Sequence, residues 1–172
     1  MHRIEPHTPE QLFRRLDELT IAHSTIEHPP VFTVDEAKRL RGTIPGAHVK
    51  NLFLRDKKGV MWLVVCLEDR QVDLAWLSSQ LGCKRLSFGS AERLWRTLGV
   101  EPGSVTPFGI INDRGREVGV ALDRALLTYD PLNFHPLVND KTTSISAPGL
   151  TAFLEAEGHP PLWVDFDRMQ TA

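Results

Sequence analysis

The chain has 172 residues, 20 Lys and Arg against 22 Asp and Glu, and a formal net charge of −2. A hydrophobic fraction of 41% and a charged fraction of 24% are those of an ordinary globular protein, large enough for a true core. No global basic field marks it for nucleic acid, so a polyanionic partner would have to be held by a local patch.

Thr8-Pro9-Glu10-Gln11 reads as a capping box with proline at the first helical position, and Leu12, Phe13, Leu16 and Leu19 form the stripe of the helix that follows. Ala22 to Glu27 reads as a short strand, stopped by His28-Pro29-Pro30. A second capping box, Thr33-Val34-Asp35-Glu36, opens a helix running to about Arg41 and ending at Gly42. The alternating segment Ala47–Asp56 and the apolar run Val60–Leu67 then predict a hairpin across Asp56-Lys57-Lys58-Gly59. Helices are predicted over Asp73–Leu81, with Gly82 behind it, and over Ala91–Leu98, capped by Ser90 and closed by Gly99. Phe108–Asn112 and Glu117–Leu122 read as a second hairpin over Asp113-Arg114-Gly115. Strands near Leu132–His135 and Thr142–Ser146, a helix from about Pro148 to Glu157 and a strand Leu162–Phe166 complete the pattern. Hairpins mixed with helices imply an α+β fold: one domain over residues 1–172, with a mixed, mostly antiparallel, barrel-like sheet and surrounding helices.

Cys66 and Cys83 lack metal-ligand spacing and read as reduced structural thiols of a cytoplasmic protein. The N-terminal segment has no apolar signal region, and the longest apolar run is too short to span a bilayer. No His-x-x-x-His pair suggests a metal, no Gly-x-Ser-x-Gly elbow suggests a serine nucleophile, and no cofactor is expected.

Three segments carry chemistry. In the first, strand alternation puts Lys50 on one face with Leu52 and Leu54, and Asn51 on the other with Val49 and Phe53. Lys50 either lets its stem cover apolar surface or is used by something. Lys50 and Asn51 can line one site only if the strand is irregular there. In the second, Gly99–Gly109, prolines and glycines fix a loop that is either a plain helix-to-strand connection or a presenter of amides and carbonyls to a small ligand. In the third, Tyr129–Thr143, one His and two Asn are interleaved with Phe, Leu and Val. That pattern can place a hydrogen-bonding His at the rim of an apolar pocket, or merely in a surface loop.

The order Val49-Lys50-Asn51-Leu52-Phe53-Leu54, Gly103-Ser104-Val105-Thr106-Pro107, Phe134-His135-Pro136-Leu137-Val138-Asn139 resembles the YbaK/prolyl-tRNA-synthetase-associated editing domains. Within them it is most similar to the free-standing ProXp-ala (PrdX) deacylases. The entry Pro29–Ala37 resembles the family's segment ahead of its second helix, and the likeness spans nearly the whole chain. The resemblance implies hydrolysis of the ester joining a wrong amino acid, alanine in the ProXp-ala group, to the 3′ end of proline tRNA. Water would attack with help from a ribose hydroxyl and without a protein nucleophile.

The resemblance carries catalytic roles onto Lys50, Asn51 and His135, with Lys50 fixing the terminal adenosine. It carries substrate binding onto Gly103, Ser104, Val105, Thr106, Pro107, Phe134 and Asn139. The acceptor end of proline tRNA is the expected partner, with prolyl-tRNA synthetase a second candidate. His48, Arg55, Lys57, Lys58 and Lys141 are tRNA-contact candidates, joined by Arg39, Arg41, Lys84 and Arg85. A cysteinyl ester is the competing substrate within the fold. A non-catalytic nucleic-acid-binding or synthetase-docking module is the competing class.

Overall fold

The computed structural model describes residues 5–30 and 34–169. The Thr33 cap therefore lies outside the described residues. Its centre is an open five-stranded sheet of order β4-β2-β3-β5-β8, accompanied by a three-stranded sheet of order β1-β7-β6. The strands are β1 (His23–Glu27), β2 (Val49–Arg55), β3 (Met61–Leu67), β4 (Ser87–Phe88), β5 (Val118–Asp123), β6 (Leu132–Phe134), β7 (Lys141–Ile145) and β8 (Leu162–Val164). The helices are α1 (Pro9–Glu18), α2 (Val34–Arg41), α3 (Leu74–Leu81), α4 (Ala91–Leu98) and α5 (Ala147–Ala156).

The local chemistry of the predicted caps is present. Thr8 Oγ accepts from the Gln11 amide while Gln11 Oε1 accepts from the Thr8 amide, which satisfies two donors at the start of α1. Asp73 and Ser90 cap α3 and α4 in the same manner, and Gly82 and Gly99 close those helices in the left-handed conformation.

Two features of the predicted sheet are corrected. The segment Pro107–Asn112 is a 3-10 helix, not the first arm of a hairpin. Thr106 accepts from the Phe108 amide and starts that turn, and its residues are buried against α4 rather than paired in a ladder. The strand after it, β5, enters parallel to β3, with Leu63 opposite Val120, and β8 enters parallel to β5. The remaining pairs are antiparallel: β1 with β7, β6 with β7, β2 with β3 and β2 with β4. The sheet has free edges at β4 and β8, so it is not closed into a barrel.

The hydrophobic pattern explains why β3 is central. Met61, Leu63 and Val65 face one core with Phe53, Phe108, Phe134 and Phe153, whereas Val64 and Cys66 face a second core with Leu54, Leu77 and Phe166. Leu63, Val64, Val65 and Cys66 are fully buried. Each such aliphatic side chain contributes roughly 1.5–3 kcal/mol relative to exposure, so β3 anchors both layers. Strand β2 divides in the same way. Val49 and Phe53 join the first core, Leu52 and Leu54 the second, and the pairing with β3 runs without a bulge from Val49–Leu67 to Arg55–Met61.

Candidate active site

Regular register fixes the faces of the two residues that dominate the first motif. Asn51 falls on the Val49–Phe53 side and lines a cavity of about 250 Å³ with Leu40, Ile44, His48, Val49, Glu68, Asn133, Phe134, His135 and Thr142. Lys50 falls on the opposite side, where its ammonium donates to the backbone carbonyl of Arg70. The cavity therefore sits where the start of β2, the α2–β2 connection, β6 and β7 converge.

The connection is held against β6 by backbone and side-chain hydrogen bonds. The Ala47 amide donates to the Pro131 carbonyl at 2.9 Å, and Asn133 Nδ2 donates to the carbonyls of Pro45 at 3.0 Å and Ala47 at 3.1 Å. Asn133 Oδ1 accepts from Ser144 at 2.7 Å, so both ends of that buried amide are used. Gly46 has φ +104° and passes so close to the Pro131 carbonyl that any β-carbon would collide with it.

Two histidines, His48 and His135, line the cavity, and a third, His28, meets it through Thr142. His135 Nδ1 lies 3.0 Å from the Lys141 carbonyl, which can only accept, so that nitrogen carries the proton and Nε2 holds a lone pair in the neutral ring. Burial pushes the His135 pKa below its ordinary value; the Lys141 carbonyl opposes this and neighbouring His28 reinforces it. His28 stands 6.3 Å away, centroid to centroid, and pairs Nε2 with Thr142 Oγ1 at 2.8 Å. His48 donates Nε2–H to the Ile44 carbonyl at 3.1 Å. Asn51 Oδ1 is buried with no hydrogen-bond partner. Such an acceptor costs about 1–3 kcal/mol unless something donates to it, which marks it as a ligand-facing atom.

The structure thus brings together His48, Asn51, Phe134 and His135. Phe134 is held in a T-shaped contact by Phe108, with centroids 5.9 Å apart. Lys141 adjoins the cavity through its carbonyl, while its ammonium pairs with Asp140. The Gly103–Pro107 loop does not line the cavity. Ser104, Thr106 and Pro107 are buried, Val105 packs on the main core, and Gly103 faces Asn139, whose Nδ2 would lie 3.7 Å from a β-carbon there. Gly103 therefore meets Asn139, a residue of the 134–141 segment that carries His135.

Arg55, Lys57 and Lys58 lie at the far end of β2 and its turn, away from the cavity. Sequence reasoning missed Asn133, Thr142, Glu68, Leu40 of α2 and Ile44 of the α2–β2 connection. Asn133 and Thr142 stood within the third segment, where Asn133 is a buried amide between Leu132 and Phe134.

Behind the sheet, Lys50 belongs to a charged layer. Arg70 pairs with Asp123 (Nε–Oδ2, 3.0 Å) and with Asp167 (2.8 Å), and lies 5.9 Å from the Phe166 ring centre. Asp123 is fully buried and also accepts from the Leu67 and Ala125 amides. Desolvation in this layer drives the Cys66 thiol up to about 12. Among the described residues no group of three or more His, Cys, Asp or Glu could hold a metal ion, and no helix is long and apolar enough to cross a membrane.

The sequence profile of the aminoacyl-tRNA editing domain matches residues 28–153, which include every residue lining the cavity. The chain belongs to that family. It is 38% identical over 151 residues to the prolyl-tRNA editing protein ProX of Acetoanaerobium sticklandii, covering 87% of this chain and 92% of that protein. It is 39% identical over 163 residues to the prolyl-tRNA synthetase associated domain-containing protein 1 of Xenopus laevis, covering 92% and 96%. A solved structure described as a candidate trans-editing enzyme for prolyl tRNA synthetase shares the fold, with a TM-score of 0.70 at 20% identity over 92% of this chain and 96% of that one.

Proposed function

We propose that this chain, acting as a single editing domain in the cytoplasm, is a trans-editing deacylase that hydrolyses alanine from mischarged proline tRNA. The observation that carries the reading is the small cavity holding an unpartnered buried Asn51 acceptor beside a His135 whose Nε2 lone pair is free. The family match and the ProX and synthetase-associated relatives support the substrate class.

Asn51 Oδ1 accepts a hydrogen bond from the α-ammonium of the bound aminoacyl group. His135 Nε2 accepts from the attacking water and orients it, with the ribose hydroxyl next to the ester assisting proton transfer. The water oxygen bonds to the ester carbon, the carbon–oxygen bond to the ribose breaks, and free amino acid and a 3′-hydroxyl leave. An aminoacyl ester is already activated, so orientation and charge stabilisation supply much of the rate without a protein nucleophile.

The cavity, about 250 Å³, suits the aminoacyl group and its ribose rather than a whole nucleoside. Ile44, Val49 and Phe134 limit its size, which favours alanine over the proline ring by roughly 10- to 200-fold. Lys50 serves this site from behind the strand. Its ammonium holds the Arg70 carbonyl and thereby the turn that presents Glu68 at the cavity wall. Gly103 lies against Asn139 of the His135 segment and helps hold it. Prolyl-tRNA synthetase, which also charges the substrate, is the natural source of the mischarged tRNA.

The test is deacylation of alanyl-, cysteinyl- and prolyl-esters, all on the proline tRNA body, by the wild type and by Asn51→Ala and His135→Ala. Rapid loss of alanine that depends on both residues is expected. Preferential release of cysteine, close to alanine in size, would reassign the substrate. No hydrolysis of any ester would leave a non-catalytic binding module.

A further inference from the structure

At the end of β2 remote from the cavity, two basic segments are locked side by side. The β2–β3 turn carries Lys57 and Lys58, and the strand-side segment before β4 carries Lys84 and Arg85. The Lys57 amide donates to the Lys84 carbonyl at 2.8 Å, and β4 pairs with β2 at Arg55–Ser87, so the two segments hold a fixed spacing. Asp56, the acid between them, is buried and spends Oδ1 on the amides of Lys58 and Val60, both at 2.9 Å. Among the described residues, ion pairs engage Arg15, Arg70, Lys141 and Arg168 but none of these four cations. All four side chains are exposed. Lys57, Lys58 and Lys84 rim a cavity of about 640 Å³ floored by Trp62 and Leu81.

An uncompensated cationic cluster on a rigid hairpin is unusual in a chain of net charge −2, and it points to a polyanion. Position says which part. Lys58 lies seven residues beyond Asn51, four of them along β2 and the rest into the turn, so at 3.3 Å per residue it stands at most about 23 Å away. At the roughly 3.4 Å spacing of a duplex DNA strand, a nucleic-acid strand whose last nucleoside sits at the cavity would reach the cluster up to about seven nucleotides earlier. That distance exceeds the unpaired 3′ tail of a tRNA and falls on paired stem. We propose that Lys57, Lys58, Lys84 and Arg85 form a clamp for the sugar-phosphate backbone of the acceptor stem, set one strand length from the editing cavity. The inference rests on the deacylase reading for its choice of RNA, and it explains how a chain without overall positive charge holds a tRNA. The clamp reads phosphates and not bases, so it contributes affinity to any stem of correct length.

Uncharged proline tRNA is titrated against the wild type and a Lys57→Ala/Lys58→Ala/Lys84→Ala variant from 50 to 200 mM salt, and deacylation is measured separately. Loss of three phosphate contacts should weaken binding about 10- to 100-fold at low salt and flatten the log–log salt slope by about 2–3. The kcat/KM loss on alanylated tRNA should exceed that on an alanylated, single-stranded CCA-ended oligonucleotide at least tenfold. An unchanged affinity and slope would overturn the clamp and leave the patch to an acidic protein surface. Equal losses on both substrates would overturn it as well. Absence of hydrolysis by the wild type bears on the deacylase reading alone, because the binding titration does not depend on turnover.

Discussion

Replacing Gly46 by Ala tests how the α2–β2 connection builds the cavity wall. Gly46 adopts φ +104°, so any other residue is strained there by about 1–2 kcal/mol. Its β-carbon would strike the Pro131 carbonyl and come to 3.0 Å from Asn133 Nδ2. The chain must then move away, which loosens the Ala47–Pro131 and Asn133–Pro45 hydrogen bonds, each contributing about 1 kcal/mol. The sum is about 3 kcal/mol. With a urea m-value of about 2 kcal/mol/M, the midpoint should fall by about 1.5 M at unchanged m. Gly59 supplies the control, since its φ of +86° is comparable but no atom lies within 4 Å of its β-carbon position. Gly59→Ala should cost only the backbone strain, about 1 kcal/mol. Because Ile44 and His48 ride on the same connection as Gly46, deacylation should fall at least tenfold in Gly46→Ala and little in Gly59→Ala. Equal destabilisation of the two variants, or a Gly46→Ala midpoint within 0.2 M of wild type, would refute the close approach as the reason for glycine.

Asn51→Ala removes an orphaned buried acceptor, so it should leave urea stability unchanged or raise it by up to about 1 kcal/mol while reducing kcat/KM for alanyl-tRNA at least tenfold; destabilisation with activity retained would mean the amide is structural. His135, with its pKa depressed by burial, stays neutral in the folded state while the unfolded chain takes up a proton below about pH 6.5. Its contribution to stability is therefore complete above that pH and is lost as pH falls through the folded value. Urea titrations from pH 8 to 5 should show this as a decline absent from His135→Asn, and the acidic limb of the deacylation profile should lie below pH 6.5. Asp123→Ala strips the buried carboxylate from Arg70 and two amides and should cost about 3–5 kcal/mol by denaturation.

Caps and alternation made most of the elements legible, because both are local. Thr8, Asp73 and Ser90 announce their helices by side-chain donors and acceptors within three residues, and β2 and β3 announce themselves by period. What was not local was not legible. Nothing within Val118–Asp123 says that β5 enters parallel beside β3 instead of turning back on Phe108–Asn112; that choice is made by Leu63 and Val65 needing cover from a strand distant in sequence. Asn133 and Thr142 join the site through pairing of β6 with β7 and through contacts to Pro45 and His28, partners remote in the chain.

Lys50 and Asn51 show both halves of this lesson in adjacent positions. Alternation alone places them on opposite faces, and the unbroken register with Cys66 and Val65 keeps them there. Which face holds the cavity is a tertiary fact, set by β6 and the α2–β2 connection packing over the Asn51 side. An ammonium on the other face, bonded to the Arg70 carbonyl, can influence the reaction only through the Leu67–Arg70 turn unless it leaves that carbonyl and rounds the strand end. The two routes differ in what arginine can replace. A guanidinium can still donate to a carbonyl, so Lys50→Arg should keep at least a third of wild-type kcat/KM if the turn is what matters, whereas Lys50→Ala should lose tenfold or more. Equal inactivation by both substitutions would place the ammonium itself at the substrate.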